Sequence, residues 1–124
     1  MGVAAWIVQT LLAVAMLGAG GTKLTRNRKD LVSGNMAWAE DFSDNSVKLI
    51  GAVEVLGAIG LVLPWALGVL PVLTPIAGAA LAAVLLGAVV VHVRRKEWAG
   101  IVPPLVLAAM GVFVAVVRFV DLAA

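Results

Sequence analysis

The sequence predicts an all-α fold, a bundle of four membrane-crossing helices, on three observations. Apolar residues fill 63% of the 124 positions and charged ones only 13%, where a soluble domain uses about 25% charged residues to cover its surface. The apolar residues gather into four runs, each close to the roughly 20 residues a helix needs to cross a hydrocarbon core of about 30 Å. Most of the charges sit in the first and third connections between those runs.

The first run is VAAWIVQTLLAVAMLGAGG, residues 3–21. A cleaved signal peptide is its competing reading. No basic stretch precedes it, and the TKLTRNRKD behind it resembles a stop-transfer flank, so a retained span is expected. Residues 22–46 form a long polar connection. Within it, NMAWAEDFSDN sets Trp38 and Phe42 four apart, with Glu40, Asp41 and Asp44 on other faces. That pattern fits either a short helix lying on the bilayer surface or a hydrated loop anchored by its tryptophan.

The second run, VKLIGAVEVLGAIGLVLP at 47–64, carries Lys48 and an acid, Glu54. A short uncharged turn, 65–70, leads to PVLTPIAGAALAAVLLGAVVVHV at 71–93. Pro71 and Pro75 fall in its first turns, where the missing N–H has no intrahelical acceptor to lose. A compact basic turn, 94–100, precedes IVPPLVLAAMGVFVAVVRFV at 101–120, with Pro103 and Pro104 near its start. No internal repeat divides the chain, so a single four-helix domain over 1–124 is expected.

With four spans, the first and third connections share one face. That face holds Lys23, Arg26, Arg28, Lys29, Lys48, Arg94, Arg95 and Lys96, against Arg118 alone, near Asp121, on the other. By the excess of Lys and Arg, connections 22–46 and 94–100 are expected in the cytoplasm and both termini outside. Trp6 and Trp65 then belong to the outer interface, Trp38 and Trp98 to the inner one.

Helices in lipid associate through small residues that let backbones approach. Ala79, Ala83 and Gly87 form such a stripe on the third run, and Ala15 and Ala19 a shorter one on the first. Gly51, Gly57 and Ala58 surround Glu54 on its helix, so the acid is expected to face another helix rather than lipid. An ionised side chain at mid-bilayer costs about 3 kcal/mol, so such residues pair, bind something or carry protons. Lys23 and His92 end neighbouring spans in the same half of the membrane, and Glu54 is expected to pair with one of them. Lys48, six residues before Glu54, is not its direct neighbour on the helix surface. Glu54, Lys23, His92 and Lys48 are the candidate polar cluster; Lys23 and Lys48 also serve as interfacial anchors. Gln9 is expected to hydrogen-bond between helices.

Other chemistry is excluded or disfavoured. The chain has no cysteine and a single histidine, against thiol redox chemistry and a protein-built metal site. Its threonines are isolated and its serines lie in the long connection, so no nucleophile–base pair and no catalytic residue is expected. No glycine loop introduces a phosphate-binding helix. The basic connections are short and lie at the bilayer, where anionic lipid headgroups rather than nucleic acid are the expected partner.

GAGGTKL, closing the first run, resembles the glycine-rich, lysine-ending motif of the DoxX-like membrane proteins. KLIGAVEVLGAIGLVLP is similar to their second-helix motif, and the small residues running into HVRRKE fit as well. The resemblance covers nearly the whole chain. It implies a four-helix integral membrane bundle, with Lys23, Lys48, Glu54 and His92 as the family's polar residues. It also implies a membrane subunit or anchor of an oxidoreductase system, linked in some members to quinone or sulfur metabolism. A small-molecule or proton transporter and a membrane-protein assembly factor are the alternatives. Without redox groups of its own the chain is not expected to be an enzyme alone. Its expected associates are a quinone or other lipophile, a soluble redox protein at the basic face, and further copies of itself.

Overall fold

A computed structural model describes residues 2–124. It contains five α-helices and, among the described residues, no strand. The long helices are α1 (Gly2–Thr25), α3 (Asp44–Leu67), α4 (Leu73–Arg94) and α5 (Val102–Ala123). All four are long and apolar enough to cross a membrane. The short α2 (Arg28–Ser33) and a 3-10 turn (Ala37–Asp41) occupy the first connection, and a second 3-10 turn (Trp98–Ile101) leads into α5.

Local chemistry fixes where the helices start and stop. Ser43 caps α3, its Oγ accepting from the Ser46 N–H at 3.1 Å; Asn27 caps α2 through the Asp30 N–H at 2.9 Å. Each cap satisfies one of the N–H groups a helix leaves orphaned at its start. Gly68 closes α3 at φ 65°, a left-handed conformation glycine adopts without a Cβ penalty. Pro103 and Pro104 open α5. Pro64 lies inside α3 and cannot donate to the Gly60 carbonyl one turn back. The Thr74 hydroxyl of α4 supplies that bond instead, at 3.0 Å.

The long helices form a ring. α1 packs on α3 and α4 on α5 most extensively, while α3 against α4 and α1 against α5 close the bundle. Both tight pairs turn on glycine against glycine. A Cβ at Gly20 would stand 2.6 Å from the Gly51 carbonyl oxygen, and one at Gly78 2.8 Å from that of Gly111. Between the pairs lies an apolar layer that includes Leu12, Met16, Leu61, Leu81, Leu85 and Val114.

One expectation needs correcting here, and one open alternative is resolved. Ala79, Ala83 and Gly87 do not form a packing stripe: all three are exposed, and a Cβ at Gly87 would touch nothing within 4 Å. α4 is small on several faces at once, so small size does not single one out. The neighbouring face of Gly78, Leu81, Ala82 and Leu85 is the buried one, because Gly78 can meet Gly111. Within the first connection, NMAWAEDFSDN contains a short 3-10 helix, Ala37–Asp41, rather than a hydrated loop, and its aromatic residues pack on protein. Leu31, Ala39 and Val47 form a small core of their own, with Met36, Trp38 and Phe42 packed on it. Trp38 and Phe42 stack edge to face at 5.6 Å.

Candidate polar site and a second cluster

The close approach of α1 and α3 also sets the first site. The two helices run antiparallel, so Lys23, three residues after Gly20, and Glu54, three after Gly51, stand on opposite sides of the glycine crossing and reach across it. A Cβ at Gly51 would meet Lys23 Cβ at 2.8 Å and one at Gly20 would meet Glu54 Cβ at 3.0 Å. The Lys23 Nζ donates to Glu54 Oε1 at 2.5 Å. The residues are 6% and 4% exposed, so neither charge is hydrated and each is stabilised chiefly by the other. The Trp38 ring, from the 3-10 turn, stands 5.6 Å from Lys23 Nζ, where its electron-rich face also favours the ammonium.

The other two candidates do different work. Lys48 donates to the carbonyls of Lys23 at 2.8 Å, of Leu24 at 3.3 Å and of Arg26. It closes the C-terminus of α1, where carbonyls lack intrahelical donors. His92 bonds Glu97, not Glu54: its Nδ1 is 2.9 Å from Glu97 Oε1. A hollow of about 250 Å³ beside that pair is lined by Gly34, Asn35, Ala37, Trp38, His92, Glu97 and Gly100. Trp38 therefore has Lys23 near its ring and also borders this hollow.

Arg95 straps the two connections to each other, and Arg28 braces the first one internally. Arg95 donates to Glu97 at 3.1 Å, Asp41 at 2.8 Å and Glu40 at 2.9 Å. Asp41, Glu40 and Glu97, in that order, hold its guanidinium well above its ordinary value. Arg95, and then His92, hold the Glu97 carboxyl below the usual carboxylate range. Arg28 donates to the carbonyls of Phe42 at 2.7 Å, Glu40 at 2.8 Å and Ala39 at 3.1 Å, which fixes the turn that carries Trp38. Half of the eight cations at this end are thus committed internally; Arg26, Lys29, Arg94 and Lys96 remain exposed.

A second polar cluster sits at the opposite end of the bundle. Arg118 is 2% exposed. Its Nε donates to Gln9 Oε1 at 2.6 Å and its Nη1 to Asp121 at 2.9 Å. Gln9 in turn donates to the Leu61 carbonyl at 2.5 Å. The guanidinium carbon lies 4.3 Å from the Trp65 ring centroid and 5.6 Å from that of Trp6. Nη2 is buried and has no partner among the described residues. Sequence reasoning placed Arg118 with Asp121 at the interface and Gln9 between helices, without joining them. The available signal was an arginine inside the fourth apolar run, which by default marks an interior polar group.

No group of His, Cys, Asp and Glu among the described residues is arranged to hold a metal ion. Four apolar helices in a ring, with ion pairs kept inside it, define an integral, multi-pass membrane protein. The chain belongs to the DoxX-like family, whose model matches residues 7–114. No curated protein and no solved structure matches it.

Proposed function

We propose that this chain is a membrane subunit or anchor of a redox system, and that the hollow lined by Trp38, His92 and Glu97 receives the polar head of a quinone or another lipophile. The observation that carries this reading is Trp38, near the buried ion pair and in the wall of the hollow. About 250 Å³ suits a ring-sized head rather than a whole lipophile, since pockets for complete small ligands start near 300 Å³. With Nδ1 committed to the Glu97 carboxylate, Nε2 of His92 is the nitrogen that would meet the ligand. It would accept from a quinol hydroxyl when the ring is neutral and donate to a quinone carbonyl when it is protonated. Glu54 acts at one remove, by fixing the ammonium that Trp38 covers. The chain supplies the site and the redox partner supplies the electrons.

In this reading the end bearing the hollow faces the cytoplasm, by the positive-inside rule. Arg26, Lys29, Arg94 and Lys96 are exposed there for anionic headgroups and for an acidic patch on a soluble partner. A transport path is disfavoured, because the apolar layer of Leu12, Met16, Leu61 and Leu81 lies between the two polar clusters.

The test is binding of a short-chain quinone to purified wild type, His92→Gln and Glu54→Gln protein, with folding checked by circular dichroism. Loss of a hydrogen bond from a polarised imidazole predicts about tenfold weaker binding for His92→Gln. Glu54→Gln should weaken binding by a smaller factor, through Trp38. Equal affinity in all three would remove the hollow from the account. Co-purification of a soluble oxidoreductase at low but not high salt tests the anchor role separately.

A further inference from the structure

The Arg118 cluster lies outside that reading and is the one place among the described residues where a buried side-chain donor lacks an acceptor. Nε and Nη1 are satisfied by Gln9 and Asp121, and Nη2 is not. A buried unpaired donor is costly, more so when charged. Arg118 lies five residues before the end of α5, roughly 8 Å from it by helical rise. The flanking Trp6 and Trp65 are of the type that settles at the lipid–water boundary. This is the depth of phosphates and glycerol esters.

The wall next to the guanidinium continues into a lipid-accessible surface. Trp6 also lines a shallow apolar groove of about 420 Å³ along α1, with Val3, Ile7, Thr10 and Leu11. A groove for an acyl chain therefore adjoins a cation of the kind that matches a phosphate with two parallel donors. Arg118 is also the sole Lys or Arg at its end of the bundle.

We propose that this end carries a phospholipid site: an acyl chain lies in the α1 groove and the lipid phosphate accepts from Arg118 Nη2, after a small outward movement of Trp6. Asp121 competes for the same guanidinium and tempers the affinity. The basic end of the molecule contributes nothing to this site.

Native mass spectrometry of the full chain, delipidated in detergent and titrated with phosphatidylglycerol, tests it. Wild type should bind one lipid that Arg118→Gln binds at least about fivefold less tightly. Asp121→Asn should bind about twofold more tightly, because the negative charge competing for the guanidinium is removed. Trp6→Leu removes one ring beside the guanidinium but keeps its hydrogen bonds to Gln9 and Asp121 and its contact with Trp65, which keeps the test open if Arg118→Gln fails to fold. It should bind about threefold less tightly, through loss of the shared wall. Diacylglycerol, with the same chains and no phosphate, should not compete, and inorganic phosphate should compete only weakly. Equal lipid binding by wild type and Arg118→Gln, or unchanged binding by Trp6→Leu, would overturn the site. Competition by diacylglycerol at equal strength would assign the groove to chains alone, and by inorganic phosphate to a free anion; either result refutes the proposal.

Discussion

Alanine at Gly20 or Gly51 should damage the protein more than alanine at Gly18 or Gly21. At Gly51 the new methyl would sit 2.8 Å from Lys23 Cβ and 2.9 Å from the Gly20 carbonyl oxygen. At Gly20 it would sit 2.6 Å from the Gly51 carbonyl oxygen and 3.0 Å from Glu54 Cβ. Ordinary contact begins at 3.4 Å, so α1 and α3 must part by about 0.6 to 0.8 Å, against backbone that cannot yield by a rotamer change. Overpacking of this kind costs about 1–3 kcal/mol, with Gly20→Ala at the upper end. The same separation stretches the Lys23–Glu54 contact, which spans this crossing. Gly18 and Gly21 have nothing within 4 Å; there alanine should be neutral or stabilise the helix by up to about 1 kcal/mol. Equilibrium unfolding of the purified protein in mixed micelles, followed by helix content, separates the two classes. If Gly20→Ala and Gly51→Ala are no less stable than Gly18→Ala and Gly21→Ala, α1 and α3 do not cross on these glycines.

Three further outcomes follow from single contacts. Thr74→Val leaves the Gly60 carbonyl without its side-chain donor and should cost about 1 kcal/mol in the same assay; adding Pro64→Ala restores a backbone donor and should reduce that cost. Glu97 is held below the usual carboxylate range by Arg95 and then His92, so the strap's contribution is complete above roughly pH 4.5 and is lost as pH falls through the depressed value. Protonated Glu97 no longer orients Arg95 toward Asp41 and Glu40, so cleavage of the 22–46 connection by an acid-active protease should rise as pH falls below about 4.5 in wild type and change less in Glu97→Gln. Ala83→Leu and Gly87→Leu, on the exposed face of α4, should alter stability by less than about 0.5 kcal/mol; a loss of several kcal/mol, or a change of oligomeric state, would show that this face packs on protein.

The spans were legible because hydropathy alone reports burial in lipid. α1, α3, α4 and α5 overlie the four apolar runs, with α1 and α3 extending a few residues into the polar flanks. The address of Glu54 was legible too, since Gly51 and Gly57 left its face open to a neighbour. The choice between Lys23 and His92 was not, because it depends on which helices adjoin. α3 packs most closely on α1, and His92 finds Glu97 five residues along its own chain. The α4 packing face was misread for the opposite reason: alanine and glycine recur on several faces, and only the position of Gly111 on α5 selects one. The Arg118 cluster joins α1, the end of α3 and α5 across 109 residues between Gln9 and Arg118, a separation no local pattern spans.

A double-mutant cycle on Lys23 and Glu54 measures the central contact most directly. Lys23→Met and Glu54→Gln each leave one buried charge unpaired and should each destabilise the protein by about 3–5 kcal/mol in detergent. The double variant removes both charges and should be more stable than the sum of the single losses predicts, by at least about 2 kcal/mol. A coupling energy near zero would mean that the two side chains do not meet inside the bundle, and the site built on them would not stand.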